Sequence, residues 1–232
     1  MISIVMMSYL GHYPGARSNP IPKFNRAVQS VIDQTVQDWE LIIVSDGCEL
    51  TNVEYDKHWS NEPRIKLIKT EKSPSAWPGS KRQLGVDVAK GDWIAYLDSD
   101  DAYIDHRLQN ICNVIEANPL IDVFFDNILI YGIDKKGFQP TANGKYFETP
   151  LGLARRYYNA FLDNMPLFYR ESKEGSVGTW CIAHRKDIPI KWGDLERRGE
   201  DTEFINTLRS NLPYKFVNMS GYVWCHSHYF DI

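Results

Sequence analysis

The sequence predicts an α/β protein with a mostly parallel sheet flanked by helices. Short, continuous apolar runs alternate with segments that carry apolar residues at helical spacing, which is typical of strand and helix succession in such folds. Several of the apolar runs end directly in serine or aspartate. With 43% hydrophobic and 24% charged residues in 232, the composition is that of a globular chain. Together these observations argue against a disordered protein.

The first half of the chain predicts repeated strand and helix units. In order, we expect a strand over Ile2–Met7, a loop over 10–22, a helix over 24–36, a strand over Glu40–Val44, a strand over Arg64–Lys69, a helix over 80–90, a strand over Trp93–Leu97, a helix over 108–115 and a strand over Asp122–Tyr131. The first strand, helix and second strand form a βαβ unit, whose crossover should be right-handed.

The second half has weaker periodicity. We expect a helix over 151–162, a strand over 177–184, a helix beginning near Glu200 and a β-prone tail over 214–230, with few periodic signals in 132–150. No repeat or long linker separates the halves. We therefore predict one domain over 1–232, in which 1–131 carries the regular sheet and 132–232 is an irregular substrate-facing half.

Charge and cysteine usage limit the partners and the compartment. The net charge of −4 argues against general nucleic-acid binding. Cys48, Cys112, Cys181 and Cys225 form no Cys-x-x-Cys pair, so reduced thiols in an intracellular protein are the simpler interpretation. Neither a signal peptide nor an apolar run long enough to span a membrane is present, and we expect a cytoplasmic location.

The stretch 91–101 is the strongest local signal. Its apolar run reads Trp-Ile-Ala-Tyr-Leu and ends in Asp98-Ser99-Asp100-Asp101. Ligands of open α/β sheets bind beyond the carboxyl ends of strands, and neighbouring carboxylates there are readily neutralised by a divalent cation. Taken alone, an Asp-x-Asp sequence is equally compatible with a solvated acidic turn or a helix cap.

Two further polar clusters are expected at the same edge of the sheet. Ser45-Asp46 follows the second strand, and Lys81-Arg82 lies near a helix start. An aspartate can accept hydrogen bonds from a base or ribose, while arginine pairs with phosphate oxygens through two donors. With the acidic turn, this combination suits a nucleoside diphosphate. For Arg82 by itself, a surface salt bridge is the alternative.

The sequence resembles family 2 glycosyltransferases with a GT-A fold. The likeness is carried by residues 2–9, by 27–47 with its Val-Ser-Asp-Gly ending, by Lys-Arg-Gln-Leu-Gly at 81–85 and by 91–101, and it returns at Gly199-Glu200-Asp201. The resemblance implies an inverting transfer of a sugar from a nucleotide-diphosphate donor, with divalent Mn²⁺ or Mg²⁺ bound near the Asp-x-Asp sequence. Residues 1–131 would then bind the nucleotide sugar, and 132–232 would face the acceptor.

The resemblance also implies roles for individual residues. Tyr9 would line the nucleoside pocket, Asp46 would hold the base and Arg82 would lie against ribose or phosphate. Asp98 would touch the ribose side, and Asp100 would bind the metal. Glu200 would belong to the acceptor site and Asp201 would be the general base. Inversion by single displacement needs one such base as well as a cation at the diphosphate, and the chain offers a carboxylate set for each.

Several of these assignments have simpler alternatives. Glu200 and Asp201 are also the charges that stabilise a helix amino terminus. His226 or His228 could complete a metal shell, and we name His226 as the candidate, although an aromatic strand with two exposed imidazoles explains the pair as well. Trp180 lies in the half expected to meet the acceptor and could stack on a sugar, although buried tryptophans more often fill a core.

Two positions depart from the family pattern. Ser45 stands where the family often has a first aspartate, so contacts with the nucleoside can differ there. The loop from Gly11 to Pro22 is longer than the usual link after the first strand and is a candidate for the rim of the pocket.

Other functions compete with transfer. A phosphohydrolase of the haloacid-dehalogenase type would need its Asp-x-Asp after the first strand, whereas three strands precede it here. A nucleotidyltransferase would usually open with a Gly-rich phosphate loop, which Ser8-Tyr9-Leu10-Gly11 matches poorly. A nucleotide-sugar- or carbohydrate-binding module on the same fold would have no need of Asp201.

The expected partners follow from the resemblance. The donor is a nucleotide-diphosphate sugar, of which a UDP-sugar is the most frequent in the family. The acceptor is a glycan or a lipid-linked saccharide, and a lipid-linked acceptor would bring the protein into peripheral contact with the inner face of a membrane. The base, the sugar, the acceptor and the linkage are not determined by the sequence.

Overall fold

The structure is a computed structural model that describes residues 1–12, 19–74, 79–131, 167–170, 179, 182–193 and 199–225. Within these ranges the strands are β1 (Ile2–Ser8), β2 (Trp39–Asp46), β3 (Ile65–Thr70), β4 (Trp93–Tyr96), β5 (Ala102–Tyr103), β6 (Val123–Tyr131), β7 (Leu167–Arg170), β8 (Ile182–Arg185) and β9 (Tyr214–Cys225). The helices are α1 (Pro20–Ile32), α2 (Glu49–His58), α3 (Gly79–Val88), α4 (Arg107–Ala117) and α5 (Glu200–Asn211).

All the described strands join one sheet, in the order β3-β2-β1-β4-β8-β6-β9-β5, with β7 paired to β6. The four strands β3, β2, β1 and β4 are parallel, and so are β6 and β9. β8 is antiparallel to both of its neighbours, β4 and β6. The predicted fold class, an α/β protein with a mostly parallel sheet, is confirmed.

Helices cover both faces of the sheet because alternate residues of the buried strands point to opposite sides. On one face, Ile4 and Leu41 belong to the apolar cluster that contains Phe24 of α1 and Leu108 of α4. On the other face, residues such as Val5, Ile42 and Tyr96 pack in a second cluster, which contains Val86 of α3 and Phe204 of α5. The α3 and α5 helices therefore share one face, and both begin near the functional edge described below.

Helix α1 begins earlier than expected, and α2 was not predicted. Pro20 and Pro22, assigned from sequence to a loop over 10–22, lie in the first turn of α1, where proline is tolerated because the first amide hydrogens lack partners within the helix. Helix α2 buries only Thr51 and Glu54, so its sequence lacks an apolar stripe. Its position depends on packing rather than on periodicity.

In the second half, most of the described residues lie in strands or in helix α5. The strand expected over 177–184 is observed as β8 (Ile182–Arg185), and Thr179 lies in a short 3₁₀ turn before it. β9 (Tyr214–Cys225) matches the β-prone tail predicted over 214–230 as far as Cys225, after which the chain lies outside the described residues. The helix predicted over 151–162 lies outside the described residues, as does the whole of 132–166. Within the described ranges, no helix combines the length and apolarity that crossing a membrane requires.

Candidate donor and acceptor site

Polar side chains from distant parts of the sequence lie at the carboxyl edge of β1, β2, β3 and β4. Because these strands are parallel, the chain leaves each of them on the same side of the sheet. Tyr9 follows β1, Asp46 ends β2 and Asp98 follows β4. Arg82 in α3 and Glu200 at the start of α5 face the same region, since both belong to one ion-pair network with Asp98.

Asp46 is buried and forms a compact cluster with Lys72 and Tyr9, called here the Asp46 cluster. One carboxylate oxygen lies 2.7 Å from Nζ of Lys72, and the other accepts a hydrogen bond of 2.7 Å from the backbone N–H of Ser73. The Lys72 ammonium also lies 3.6 Å from the centroid of the Tyr9 ring, a cation–π contact. The Lys72 side chain is 42% exposed. The cluster thus presents a cation and an aromatic ring to solvent, with Asp46 beneath them.

Ser45 points away from this edge. Its side chain is fully buried, and its hydroxyl donates a hydrogen bond of 3.1 Å to the carbonyl of Cys48. This serine, at a position where family 2 glycosyltransferases often have an aspartate, therefore stabilises the loop between β2 and α2.

Gly47 lets the chain turn directly after Asp46. Its φ is 60°, in the left-handed region that favours glycine. A Cβ atom at this position would lie 2.4 Å from the backbone nitrogen of Lys72. A side chain at position 47 would therefore push away the loop that carries Lys72 and Ser73.

We expect Gly47→Ala to lower the free energy of unfolding by at least about 1 kcal/mol, because the left-handed backbone penalty alone is of that size and the clash with Lys72 adds to it. Gly193→Ala is the matched control, since a Cβ at Gly193 would meet nothing within 4 Å. Urea denaturation of both variants checks the difference. Equal stability of the two variants would show that the close approach at Gly47 is not maintained in solution.

The acidic residues after β4 form a tight turn, and their side chains differ in how exposed they are. The backbone N–H of Asp101 donates to the carbonyl of Asp98 at 3.1 Å, and Arg26 of α1 donates to the carbonyl of Asp100 at 2.5 Å. Asp101 is only 1% exposed, whereas the side chain of Asp98 is 31% exposed. The turn therefore leaves Asp98 and Asp100 accessible at the edge and buries Asp101.

Arg82 links the Asp-Ser-Asp turn to the start of α5. Its Nη1 atom lies 2.5 Å from Oε1 of Glu200, and Nη2 lies 3.4 Å from Oδ1 of Asp98. The guanidinium carbon is 5.2 Å from the centroid of the Trp192 ring. Burial lowers the pKa of Arg82, but the neighbouring carboxylates outweigh burial and raise it, so the side chain stays cationic. One buried cation thus joins two sequence motifs that lie far apart in the chain.

Glu200 is a buried carboxyl group with a raised pKa. The residue is 4% exposed, and within the described part of the chain its Oε2 atom has no hydrogen-bond partner. Burial raises the pKa of Glu200 to about 7, against the attraction of Arg82, while the negative charges of Asp201 and Asp98 add to the rise. The group can therefore gain or lose a proton near neutral pH.

The raised pKa of Glu200 predicts a pH-dependent contribution to stability. Because the folded-state pKa is about 7 and the ordinary value is 4.5, this contribution is fully present below pH 4.5 and is lost as the pH rises to about 7. We expect the stability of the unmodified protein relative to Glu200→Gln to fall across this window. Thermal melting of both proteins as a function of pH measures the difference, and a difference that is independent of pH would contradict the burial of an ionisable Glu200.

Asp201 lies in the first turn of α5, after Gly199, whose φ of 114° allows the chain to enter the helix. Its Oδ1 atom accepts a hydrogen bond of 2.7 Å from the backbone N–H of Thr202. Asp201 is more exposed than Glu200 and also raises the pKa of that neighbour. A partly exposed carboxylate beside a buried one is suited to accept a proton from a bound hydroxyl group.

Two residues of this site were not predicted from the sequence. Lys72 was missed because only the pairing of β3 with β2, which the structure provides, brings a basic residue just beyond β3 to the end of β2. Trp192, which contacts Arg82, could be placed from sequence only in the half expected to meet the acceptor, where a tryptophan can stack on a sugar or fill a core, and it was given no role in the site.

Two predicted site residues lie outside the described part of the chain, namely Trp180 and His226, as does the alternative His228. Among the residues that the structure does describe, no group of three or more His, Cys, Asp or Glu side chains converges to hold a metal ion.

The fold resembles that of solved GT-A proteins. The chain superposes over 97% of its length on S. aureus TarS residues 1–349, with a TM-score of 0.67, 16% sequence identity and 60% of that chain covered. A structure of the same TarS segment in complex with UDP-GlcNAc gives a TM-score of 0.64 at 17% identity, covering 97% of this chain and 58% of that one. The class defined by the fold is therefore the GT-A type.

Sequence comparison identifies the family. The model of the family described as Glycosyl transferase family 2 matches residues 19–174. An uncharacterised glycosyltransferase of Rickettsia bellii is 30% identical over 225 residues, which is 88% of this chain and 31% of that protein. One of Methanocaldococcus jannaschii is 30% identical over 139 residues, or 59% of this chain and 44% of that protein. The chain belongs to glycosyl transferase family 2. It spans less than half the length of either relative.

Proposed function

We propose that this chain is an inverting glycosyltransferase, which transfers a sugar from a nucleotide-diphosphate donor to an acceptor hydroxyl group. The observation that carries the proposal is Arg82, which contacts Asp98 on the donor side and Glu200 on the acceptor side through one guanidinium group. A cation at this position can bind a diphosphate while remaining next to the residues that meet the acceptor.

The donor side consists of the Asp46 cluster, Arg82 and the Asp98 to Asp100 turn. Tyr9 offers a ring to a base, Lys72 and Arg82 offer cations, and Asp98 is exposed enough to accept a hydrogen bond from a ribose hydroxyl. In this structure both oxygens of Asp46 have protein partners, so a base would share the carboxylate with Lys72 and Ser73. The complex of TarS with UDP-GlcNAc, a protein of the same fold, supports a nucleotide sugar as the donor.

Asp201 would act as the general base. In a single displacement, the acceptor oxygen forms a bond to the anomeric carbon while the bond from that carbon to the diphosphate oxygen breaks with its electron pair. The proton of the acceptor hydroxyl passes to the Asp201 carboxylate. Arg82 would stay beside the departing diphosphate, where its positive charge stabilises the negative charge that develops. Because attack and departure occur on opposite faces, the configuration at the anomeric carbon inverts.

A divalent cation fits the Asp98 to Asp100 turn. Mg²⁺ and Mn²⁺ prefer oxygen ligands and are often held by one or two carboxylates together with substrate phosphates. The accessible Asp100 supplies such a carboxylate, and His226 remains a proposed second ligand. When bound, the cation would neutralise charge on the diphosphate.

The acceptor is proposed to be a glycan or a lipid-linked saccharide. The succinoglycan biosynthesis protein ExoO of Rhizobium meliloti is 26% identical over 179 residues, covering 76% of this chain and 49% of that protein. This relative supports a role in building a polysaccharide. A lipid-linked acceptor would place the chain in peripheral contact with a membrane.

A thermal-shift screen tests the proposed function. UDP-, GDP-, TDP- and CMP-sugars are each added with and without Mn²⁺. A donor at about 100 times its Kd stabilises the folded state by about 2.7 kcal/mol, which for a domain of this size raises Tm by roughly 5 to 10 °C. We expect a metal-dependent shift with one nucleotide, UDP being the first candidate, and loss of its metal-dependent part in Asp100→Ala. If none of the four nucleotide sugars shifts Tm with or without Mn²⁺, the proposal is wrong for these donors.

A further inference from the structure

Behind Arg82, three side chains form a buried chain of hydrogen bonds. Nε1 of Trp192 donates to the hydroxyl of Tyr96 at 2.8 Å, and this hydroxyl lies 2.7 Å from Nε2 of His184. Nδ1 of His184 lies 2.7 Å from the carbonyl oxygen of Arg185. All three side chains are at most 5% exposed. This series of hydrogen bonds runs from the sheet toward the site. None of its residues has been assigned a role in sugar transfer.

The direction of each hydrogen bond is determined by the last acceptor. A carbonyl oxygen only accepts, so Nδ1 of His184 carries a hydrogen. Burial lowers the pKa of His184 to about 4, although the hydrogen bond to Arg185 opposes the change, so the ring is neutral and its Nε2 accepts. The Tyr96 hydroxyl therefore donates to His184 and accepts from Trp192. In each of these hydrogen bonds, a donor therefore faces an acceptor.

The indole ring at the end of this chain forms a wall of the site. One contact is with Phe204 of α5, whose ring stacks on it at a centroid distance of 3.9 Å and an angle of 18°. Another is with Arg82, at 5.2 Å. A Cβ at Gly79 would lie 3.5 Å from both Trp192 and Glu200, so both side chains pack around Gly79 at the start of α3.

Packing does not enclose the Trp192 ring on every side. A cavity of about 210 Å³ lies next to it, lined by residues that include Val86, Ile190 and Phe204. The backbone N–H of Trp192 is held by Gln83 at 2.9 Å, but this bond leaves the side-chain torsions free. The hydrogen bond from the indole to Tyr96 therefore acts together with the stacking on Phe204 to keep the ring against Arg82 and out of the cavity.

We propose that Trp192 is a positioning residue: the Tyr96–His184 hydrogen bonds fix its indole ring, and the ring holds Arg82 in contact with Glu200. Its importance for sugar transfer rests on the proposed function, whereas its effect on the geometry of Arg82 does not. Loss of the Tyr96 hydroxyl would free the indole to turn toward the cavity, and Arg82 would lose one of the walls that hold it.

Nuclear magnetic resonance of ¹⁵N-arginine-labelled protein tests this inference without any donor. The guanidinium signal of Arg82 is assigned by its absence in Arg82→Lys. In Tyr96→Phe we expect the guanidinium hydrogens of Arg82 to exchange with water at least tenfold faster than in the unmodified protein. Tyr55→Phe is the control, because it also removes one hydroxyl hydrogen bond, to the Ile65 carbonyl, far from the site.

An unchanged exchange rate for Arg82 in Tyr96→Phe, or an equal acceleration in Tyr55→Phe, would overturn the proposal and leave the three side chains with a purely structural role. If Tyr96→Phe does not fold, Trp192→Phe replaces it, since this variant keeps an aromatic ring against Phe204 and removes the indole donor. The same tenfold acceleration is expected there. Failure of the nucleotide-sugar screen would overturn the proposed function and would leave this result for Arg82 standing.

Discussion

Asp201→Asn is expected to reduce sugar transfer by about 10²- to 10⁴-fold, the usual contribution of a general base, while donor affinity stays nearly unchanged. Asparagine has the same shape and can still accept the hydrogen bond from the Thr202 N–H, so the start of α5 should be preserved. What it cannot do is take a proton from the acceptor hydroxyl. Donor binding by titration calorimetry and transfer by product formation are measured on the same preparation.

Glu203→Gln is the control for this prediction. Glu203 is a third acid in the first turn of α5 and is exposed, so its neutralisation removes a comparable helix-dipole interaction, of about 0.3 to 1 kcal/mol, without touching the site. Transfer by Glu203→Gln should be close to that of the unmodified protein. Near-normal turnover by Asp201→Asn would exclude it as the base and would reduce its role to stabilising the helix start.

Arg82→Met is expected to lower the free energy of unfolding by about 3 kcal/mol and to weaken donor binding. Methionine keeps much of the apolar stem, but Glu200 then remains buried without its cation, and breaking a buried ion pair from one side has a cost of this size. The measurement is made at pH 8.5, where Glu200 would otherwise be ionised, because protonation of the carboxyl group near neutral pH would hide part of the loss.

Arg64→Met provides the matched comparison for Arg82→Met. Arg64 pairs with Glu62 at 2.8 Å, but these side chains are 30% and 24% exposed, and pairs of this kind contribute about 0 to 1 kcal/mol. Adding Glu200→Gln to Arg82→Met should recover part of the lost stability, since the buried charge is then removed. Equal losses in Arg64→Met and Arg82→Met would mean that the contact between Arg82 and Glu200 does not form as a buried pair.

Local sequence patterns were sufficient for the parallel half of the fold. β1, β2 and β4 are continuous apolar runs, and strands buried on both faces can be predicted from such runs without knowledge of their neighbours. The turn after β4 was equally clear, because Asp98 and Asp100 follow a buried strand directly. Position at the end of a parallel strand places a residue at one edge of the sheet, whatever the remaining chain does.

Features that depend on tertiary contacts were not predictable in the same way. α2 lacks an apolar stripe, so its helical state depends on contacts such as the hydrogen bond between Asn25 and Glu54 rather than on periodicity. The pairing of Lys72 with Asp46 requires the knowledge that β3 lies beside β2. Trp192 needed three partners from different elements before its place beside Arg82 could be recognised.

The central claim is that the donor binds at the carboxyl edge of β1 to β4, and amide hydrogen exchange with and without the nucleotide sugar and Mn²⁺ tests it most directly. The account predicts slower exchange in the loop 71–74, in the turn 98–101 and in the first turn of α5, with no change in 60–64 and 89–92, which precede β3 and β4 at the opposite edge. Protection confined to the opposite edge, or a bound donor that protects none of the three predicted segments, would contradict it.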